Sequence, residues 1–348
     1  MKKTLLICLA ASAMVSCSQD EVMEVAQKEA ISFKDAFVEN ATRAIDGTLN
    51  TDKLVSFQVY GNTKGDEANA VVVPIFNDVT VTKANNIWDY EDQYIQYWIK
   101  DNTYNFAAVV NGTVATTADG LPATITYNAP TADIPATTDD LLYATASATG
   151  KESKNDLVAF TFNHLLAKAM FTVKNTMASN TANAIYFYRV SNVKITNAYK
   201  AGTYYAKASG ENAEGSWVPT TGENSTLNVN FGNVCATDNT AENAAALEIG
   251  MASEGTSNYQ RVLIPAAYNN NLNITCTIET LIKQVEGENV TYAVIDTEAY
   301  NKTISHTFVA GHAYNFVISR GNPGEPIQFT VTEVNEWDPA TGGTDVNM

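Results

Sequence analysis

The sequence predicts an all-β protein, and its length and strand number favour two β-sandwich domains. Helical periodicity is scarce, and short alternating or apolar runs are separated by Gly, Asn, Asp and Pro. Charged residues make up only 17% of the chain, against about 25% in typical soluble domains. The polar surface must therefore come from Thr, Asn, Ser and Gln, which suit strands and turns better than helices.

The candidate strands follow one another along the whole chain. In the first half they span 30–37, 54–60, 71–75, 79–82, 104–110, 123–127 and 141–144. In the second half they span 158–162, 167–174, 184–195, 227–231, 260–264, 271–278, 290–295, 303–308, 312–319 and 326–334. One sandwich needs about seven strands, so this number fits two.

Three polar stretches organise these strands. We place the domain boundary at 146–155, a polar stretch that contains a glycine. We interpret 210–224 as a long loop inside the second domain, and we expect the polar, Gly-rich tail 338–348 to be loose.

Composition and charge exclude several classes of function. The 348 residues carry 38 Asp+Glu against 21 Lys+Arg, a formal net charge of -17, so nucleic acid is not an expected partner. The three histidines are too few for most metal sites and catalytic triads, and no GxSxG, HExxH, P-loop or GxGxxG pattern occurs. We expect no catalysis, no cofactor and no metal.

The N-terminus indicates export. Residues 1–16 read as a signal peptide, with Lys2 and Lys3 before an apolar stretch that is too short to span a membrane. Met14-Val15-Ser16-Cys17 resembles a bacterial lipobox, which predicts lipidation of Cys17 and attachment to outer-membrane lipid. The alternative is an ordinary signal peptide that is cleaved elsewhere.

The residues after Cys17, Ser18-Gln19-Asp20-Glu21, are acidic. They resemble the tag that directs lipoproteins of Bacteroidota to the cell surface, although an acidic spacer is the simpler alternative.

Beyond Cys8 and Cys17, the chain has two cysteines, Cys235 and Cys276. An exported protein can join them in a disulfide, and two separately buried thiols are the other interpretation.

Two further features have a structural and a functional interpretation. Trp88 and Trp98 belong to an aromatic cluster at 87–99 that would stack on sugars if exposed, or else form part of the core. We expect His164 to lie at the sandwich edge with a satisfied hydrogen bond.

Several segments, taken in order, resemble a known family. Phe162-Asn163-His164-Leu165-Leu166-Ala167-Lys168 is similar to the Phe-x-His-x-Leu-Ala-Lys signature of the fimbrillin family, the type V pilins and related lipoproteins of Bacteroidota. Segments 139–144, 263–265 with the following strand 271–278, 308–316 and 334–337 resemble the family in the same order, so the resemblance covers nearly the whole chain.

The resemblance implies two transthyretin-like β-sandwich domains in tandem and a subunit that assembles by strand exchange. In stalk members of the family, a trypsin-like protease cuts after an arginine and removes the first strand. A C-terminal strand of another subunit then fills the exposed groove, as in other forms of β-augmentation.

The N-terminal parts of this scheme map onto residues 17–43, a lipidated pro-segment. Arg43-Ala44 supplies the cleavage site, and the strand 30–37 would be removed, with Ile31, Phe33 and Phe37 on one face and Asp35 interrupting it. Residues 44–150 form the predicted N-terminal domain, which strand 30–37 completes before cleavage.

The C-terminal parts map onto residues 151–337, the predicted second domain. Its candidate donor strand, 326–337, carries Ile327, Phe329 and Val331 in alternation, and then Val334 and Trp337 after a slip in phase. Ile31-Ser32-Phe33 and Ile327-Gln328-Phe329 share the order apolar, polar, aromatic, so the donor could replace the lost strand.

We therefore expect a structural or adhesive fimbrial subunit on the cell surface. Its expected partners are other pilin subunits, outer-membrane lipid and a trypsin-like processing protease, and a host or bacterial surface ligand is left open. The alternative is a carbohydrate-binding or other non-polymerising surface lipoprotein. The sequence does not separate stalk, tip and anchor roles.

Overall fold

The structure is a computed structural model that describes residues 29–38, 52–129, 140–152, 155–175, 186–207, 215–222, 224–228, 234–235, 247–249, 260–320, 324, 326–334 and 344–346. Within these ranges the only helix is a 3-10 turn, Asp92–Tyr94, and all other regular structure is β-strand. The predicted all-β class is confirmed. In the described part of the chain, no helix has the length and apolar character to cross a membrane.

The strands are numbered along the chain. The first nine are β1 (Phe33–Val38), β2 (Ser56–Lys64), β3 (Val73–Ala84), β4 (Ile87–Asp89), β5 (Thr103–Val110), β6 (Thr113–Thr116), β7 (Pro122–Asn128), β8 (Leu142–Thr149) and β9 (Val158–His164). The next seven are β10 (Ala167–Asn175), β11 (Tyr186–Tyr199), β12 (Ala201–Tyr205), β13 (Ser216–Pro219), β14 (Asn224–Asn228), β15 (Val234–Cys235) and β16 (Leu247–Ile249). The last six are β17 (Gln260–Leu263), β18 (Ala267–Glu286), β19 (Asn289–Thr307), β20 (Ala313–Arg320), β21 (Gln328–Val334) and β22 (Thr344–Val346).

The largest sheet has seven strands in the order β1-β9-β8-β5-β2-β3-β4. Its pairs are antiparallel except at one edge, where β1 runs parallel to β9. Strand β9 alternates strictly between buried and exposed residues from Val158 to His164. This alternation with period two places one face of β9 in the core and the other in solvent.

The C-terminal half supplies two more sheets. Six strands form the order β16-β10-β20-β21-β22, with β17 also paired to β10. Five strands form the order β14-β11-β18-β19, with β15 also paired to β11. A third set of four strands, β13-β12-β7-β6, joins two strands from each half of the chain.

The strand pairing therefore places the boundary between the first sheet and the C-terminal sheets after position 150. Strand β9, which the sequence analysis assigned to the second domain, pairs with β8 and β1 of the seven-stranded sheet. The first strand of the six-stranded sheet is β10, which begins at Ala167. The change of sheet falls between His164 and Ala167, because the alternating pattern of β9 fits the core of the first sheet.

Buried apolar residues form three clusters. One cluster lies under the seven-stranded sheet and is rich in aromatic rings, and a second lies between strands of the C-terminal half. The third is smaller and takes residues from both halves, among them Val109, Ile125, Leu165, Tyr204 and Ile264. Shared burial of this kind packs the two halves against each other through apolar contact.

Several boundaries differ from the sequence prediction. Residues 73–75 and 79–82 of two predicted strands lie in one strand, β3. Within it Asp78 takes a positive φ of 57°, and its carboxylate accepts a 2.9 Å hydrogen bond from the Tyr60 hydroxyl. Strand β13 lies inside the predicted loop 210–224, and β22 lies inside the tail that was expected to be loose. These short strands lack a long alternating run, so their pairing partners determine them.

Candidate functional site

The segment from Glu29 to Val38 fills a groove at the edge of the seven-stranded sheet. Its first residues run beside residues 96–98, where the Ile31 amide donates to the Gln96 carbonyl at 2.8 Å and the Trp98 amide donates to the Glu29 carbonyl at 3.0 Å. The Val158 amide then donates to the Ser32 carbonyl at 2.8 Å, and β1 continues parallel to β9. The segment is thus bonded on two sides at its start and on one side afterwards.

Four apolar side chains of this segment point inward. Ile31, Phe33, Ala36 and Val38 are all buried, and Ile31 is fully enclosed. The register of β1 against β9 shifts between Lys34 and Phe37, which is a β-bulge.

The bulge corrects one prediction from the sequence. Phe37 does not share a face with Ile31 and Phe33, because it lies beyond the bulge and is 51% exposed. Ala36 and Val38 take the inward positions instead. Strict alternation fails at this point because the extra residue of a bulge reverses the side-chain phase.

Phe33 is the centre of an aromatic cage. Its ring centroid lies 5.7 to 6.4 Å from five other rings, those of Phe57, Phe76, Tyr90, Phe106 and Phe160. The rings come from β2, β3, the 3-10 turn region, β5 and β9. Removal of residues 29–38 would therefore leave an apolar cavity lined by aromatic side chains, a surface that a soluble protein rarely leaves open.

Polar contacts hold the same segment. The Tyr90 hydroxyl donates to the Ile31 carbonyl at 2.6 Å, and burial raises the pKa of Tyr90 above its ordinary value. The Asn155 backbone amide and the Asn155 Nδ2 both donate to Glu29 Oε2, at 2.6 and 2.9 Å. Sequence reasoning missed these three residues, since nothing local in the chain indicates contacts across 59 and 126 positions.

The candidate donor strand lies in the six-stranded sheet. Strand β21 pairs with β20 from Ala313↔Val334 to Ser319↔Gln328, and β22 pairs with its other side. Phe329 and Val331 are buried in the C-terminal core, and Ile327 is half-buried beside it. The tail therefore contributes a strand to this sheet, contrary to the expectation that it is loose.

Three other residues that the sequence singled out, Trp88, Trp98 and Cys276, are buried in the core. Trp88 and Trp98 are 7% and 8% exposed, packed at 5.1 Å on Phe57 and 4.7 Å on Tyr104, so neither offers a face to a sugar. Cys276 is a free, buried thiol in the structure, as expected if the two cysteines are separate thiols.

His164 is buried against a carboxylate. Its Nδ1 lies 3.0 Å and 3.2 Å from the two carboxylate oxygens of Asp140, which is fully buried. At the next two residues, the Leu165 carbonyl accepts a hydrogen bond from the Trp217 indole N–H, and the Leu166 carbonyl accepts one from the Gly311 amide. The His164–Asp140 pair and these two hydrogen bonds together hold the connection between the first sheet and β10.

Metal-ligating side chains do not cluster in the part of the chain that the structure describes. Within it, no group of three or more His, Cys, Asp or Glu residues could hold a metal ion. Cys17, Arg43, Ala44 and Trp337 lie outside the described residues, and for Val334 only the backbone is described.

The chain was compared with known proteins. Residues 42–337 match the model of a family described as fimbrillin-like, and no curated protein matches the sequence. A fimbrial protein from Bacteroides vulgatus ATCC 8482 has a similar structure, with a TM-score of 0.54 and 17% identity over 89% of this chain and 99% of that chain. A candidate cell adhesion protein from Bacteroides uniformis ATCC 8492 gives a TM-score of 0.50 and 17% identity over 90% and 99%. At this identity the two structures show a shared fold.

Proposed function

Because the chain belongs to the fimbrillin-like family, we propose that it is a structural subunit of a cell-surface fimbria and assembles by strand exchange. Cleavage after Arg43 would release the segment that contains β1. The open groove would then accept the C-terminal strand of another subunit. The observation that carries this proposal is the cage of five aromatic rings around Phe33 on an edge strand.

The position of β1 supports its removal. An edge strand bonds to only one neighbouring strand, so its loss breaks the β1–β9 ladder and the contacts at residues 29–32 but no other strand pair. The loss exposes apolar surface and unpaired backbone groups on β9. Both are satisfied together by an incoming strand, because backbone hydrogen bonds provide affinity and alternate side chains fill the cage.

The donor strand must leave its own sheet first. Strands β21 and β22 form the end of the six-stranded sheet, so they can separate from β20 without breaking another ladder. Phe329 would leave one apolar core and enter another, so the burial that is lost in the donor's own sheet is offset in the groove of the acceptor.

Cleavage and polymerisation can be tested on lipid-free protein. Treatment with a trypsin-like protease should give an Ala44 N-terminus by sequencing and a ladder of polymers on gels that disappears on heating. Arg43→Ala should remain monomeric under the same treatment. Deletion of 326–348 removes the donor strand and should leave the processed protein monomeric, whereas a processed full-length chain that stays strictly monomeric would count against strand exchange.

We also propose that the subunit reaches the surface as a lipoprotein anchored through Cys17. The lipobox at 14–17 and the acidic residues Asp20 and Glu21 support this route. Intact protein from cells should have an acylated N-terminal cysteine by mass spectrometry, and Cys17→Ala should abolish the lipid. An acylated Cys17 on assembled fimbriae would indicate an anchor, whereas Ala44 would indicate a processed stalk or tip subunit.

The second candidate is a surface lipoprotein that does not polymerise, and pairing of β22 with β21 favours it. A strand that is held between two neighbours is a poor donor, which suits a protein that offers no strand to other subunits. Deletion of 338–348 separates the two candidates. It should accelerate polymerisation if the tail merely restrains β21, and it should leave the protein monomeric if the second candidate is right.

A further inference from the structure

The segment in the groove and the C-terminal strand share a five-residue pattern. Residues 29–33 read Glu-Ala-Ile-Ser-Phe and residues 325–329 read Glu-Pro-Ile-Gln-Phe. We propose that the groove specifically recognises Glu-x-Ile-x-Phe in a second copy of this chain. Glu325, Ile327 and Phe329 of the incoming subunit would then take the places of Glu29, Ile31 and Phe33. This inference rests on the proposed strand exchange.

The glutamate is recognised by Asn155. This residue is 6% exposed, and its backbone amide and Nδ2 both donate to one carboxylate oxygen of Glu29. Its Oδ1 accepts a 2.7 Å hydrogen bond from the Lys151 amide, which turns Nδ2 towards the groove. Hydrogen bonds to a carboxylate are stronger than those between neutral groups. An apolar or basic residue at this position of the incoming strand offers no acceptor and would lose both bonds.

Isoleucine and phenylalanine are recognised by shape. The two residues are two positions apart, so an extended strand places them on the same face. Ile31 is fully buried, and Phe33 lies in the aromatic cage. An incoming strand therefore needs an aliphatic residue followed by an aromatic one at this spacing.

The backbone of residues 325–329 is compatible with the groove. At residues 29–32, four hydrogen bonds join the backbone of the segment to the groove. They use the carbonyls of Glu29, Ile31 and Ser32 and the amide of Ile31. None of these four bonds uses the amide of residue 30. Pro326, which has no N–H, can therefore occupy that position without loss of one of them.

The pattern also predicts the register. Phe33 pairs with Val158 and Lys34 with Ala159, so Phe329 and Thr330 of the incoming strand should face these residues. Continued in the same register, Val334 falls at the buried position of Val38, and Glu333 at the exposed position of Phe37. The slip in the alternation of the C-terminal strand thus coincides with the bulge of β1.

Cross-linking tests the register. Processed Thr330→Cys and Ala159→Cys subunits are mixed under oxidising conditions, and an intermolecular disulfide is expected, since adjacent paired strands bring the Cα atoms within range. Thr332→Cys, two residues along, is the matched control and should not react. Lys34→Cys with Ala159→Cys in one unprocessed chain is the positive control. Burial raises the pKa of Cys276 to about 12, so this thiol should not interfere.

A peptide assay tests the recognition of glutamate. A labelled peptide of residues 325–334 should bind processed protein, and replacement of Glu325 by Ala should weaken its binding about tenfold or more, since hydrogen bonds to a charged group are lost. Replacement of Glu333, at the exposed position, should have no effect. The peptides differ while the protein stays the same, so misfolding cannot produce the result.

The outcomes separate this inference from the proposed function. Absence of polymers from processed wild-type protein overturns strand exchange and the inference with it. If polymers form but Thr332→Cys cross-links in place of Thr330→Cys, the register is wrong. If polymers form and the Glu325→Ala peptide binds as well as the parent peptide, recognition of glutamate is wrong.

Discussion

The segments 29–38 and 326–334 have the same spacing of isoleucine and phenylalanine, but they hold different places in their sheets. Strand β1 is at an edge and runs parallel to β9, whereas β21 lies between β20 and β22 in antiparallel pairing. Phe33 is surrounded by five rings, while Phe329 packs at 6.0 Å on Phe316 within a mainly aliphatic core.

The difference shows which of the two segments can leave its sheet without disturbing another strand pair. Loss of β1 opens one strand pair at the edge of its sheet, so the rest of the seven-stranded sheet keeps its ladders. Release of β21 requires separation from β20 along its whole length, and β22 must move with it or detach. In the proposed assembly, release of β21 therefore breaks a longer strand ladder than loss of β1, and four substitutions test the contrast between the two regions.

The largest effect is expected at Phe33. Phe33→Ala removes a ring that is packed against five others and should lower the free energy of unfolding of the unprocessed chain by about 4 kcal/mol. Phe37→Ala on the same strand is the control and should change it by less than about 0.5 kcal/mol, since Phe37 is exposed. Denaturant unfolding followed by tryptophan fluorescence measures both, and equal losses would contradict the bulge.

The second effect concerns Phe329. Phe329→Ala should cost about 3 kcal/mol in the C-terminal core, while exposed Gln328→Ala should be nearly neutral. Cys276 reports opening of this core, because burial raises the pKa of its thiol to about 12 and keeps it unreactive. Thiol labelling at pH 8 should be faster in Phe329→Ala than in Phe33→Ala. The reverse order would show that the two cores open together.

The third effect tests the connection between the two regions. Asp140→Ala leaves buried His164 without its carboxylate partner and should cost about 2 kcal/mol. Asp156→Ala, which breaks an exposed ion pair with Lys151, is the control and should cost less than about 0.5 kcal/mol. Thermal unfolding provides the comparison, and a neutral Asp140→Ala would show that the pair does not stabilise the connection.

The smallest effect is expected at Tyr90. Tyr90→Phe loses the hydrogen bond to the Ile31 carbonyl and should cost about 1 kcal/mol in the unprocessed chain. In the processed monomer the Ile31 carbonyl has left with residues 1–43, so the same substitution should cost nothing there as long as no incoming strand fills the groove. An equal cost in both forms would mean that Tyr90 does not hold the segment.

Alkaline pH provides a second readout for Tyr90. Burial raises its folded-state pKa above the ordinary 10.0, so the stability that its neutral hydroxyl contributes is fully present below pH 10. It is lost as the pH rises through the folded-state pKa. Tyr90→Phe should therefore lose less stability than the parent chain between pH 10 and 11, measured by denaturant unfolding.

Some strands and their buried faces could be predicted from the local pattern of apolar residues. Alternation of apolar residues in β9 and around Ile31 and Phe33 predicted strands with buried faces, and both are confirmed. Phe37 was assigned to the wrong face, because a bulge depends on the partner strand. The short strands β12 and β13 were missed, because strands of four or five residues obtain their stability from neighbours in the sheet.

Composition and periodicity are local properties of the chain, and they were enough to predict the all-β class and the apolar faces of the long strands. Long-range packing places β9 in the first sheet and buries Trp88 and Trp98. It also decided that Tyr90 and Asn155 hold the segment 29–38. Each of these depends on residues far apart in the chain, and such contacts follow from the packing of sheets rather than from any local pattern.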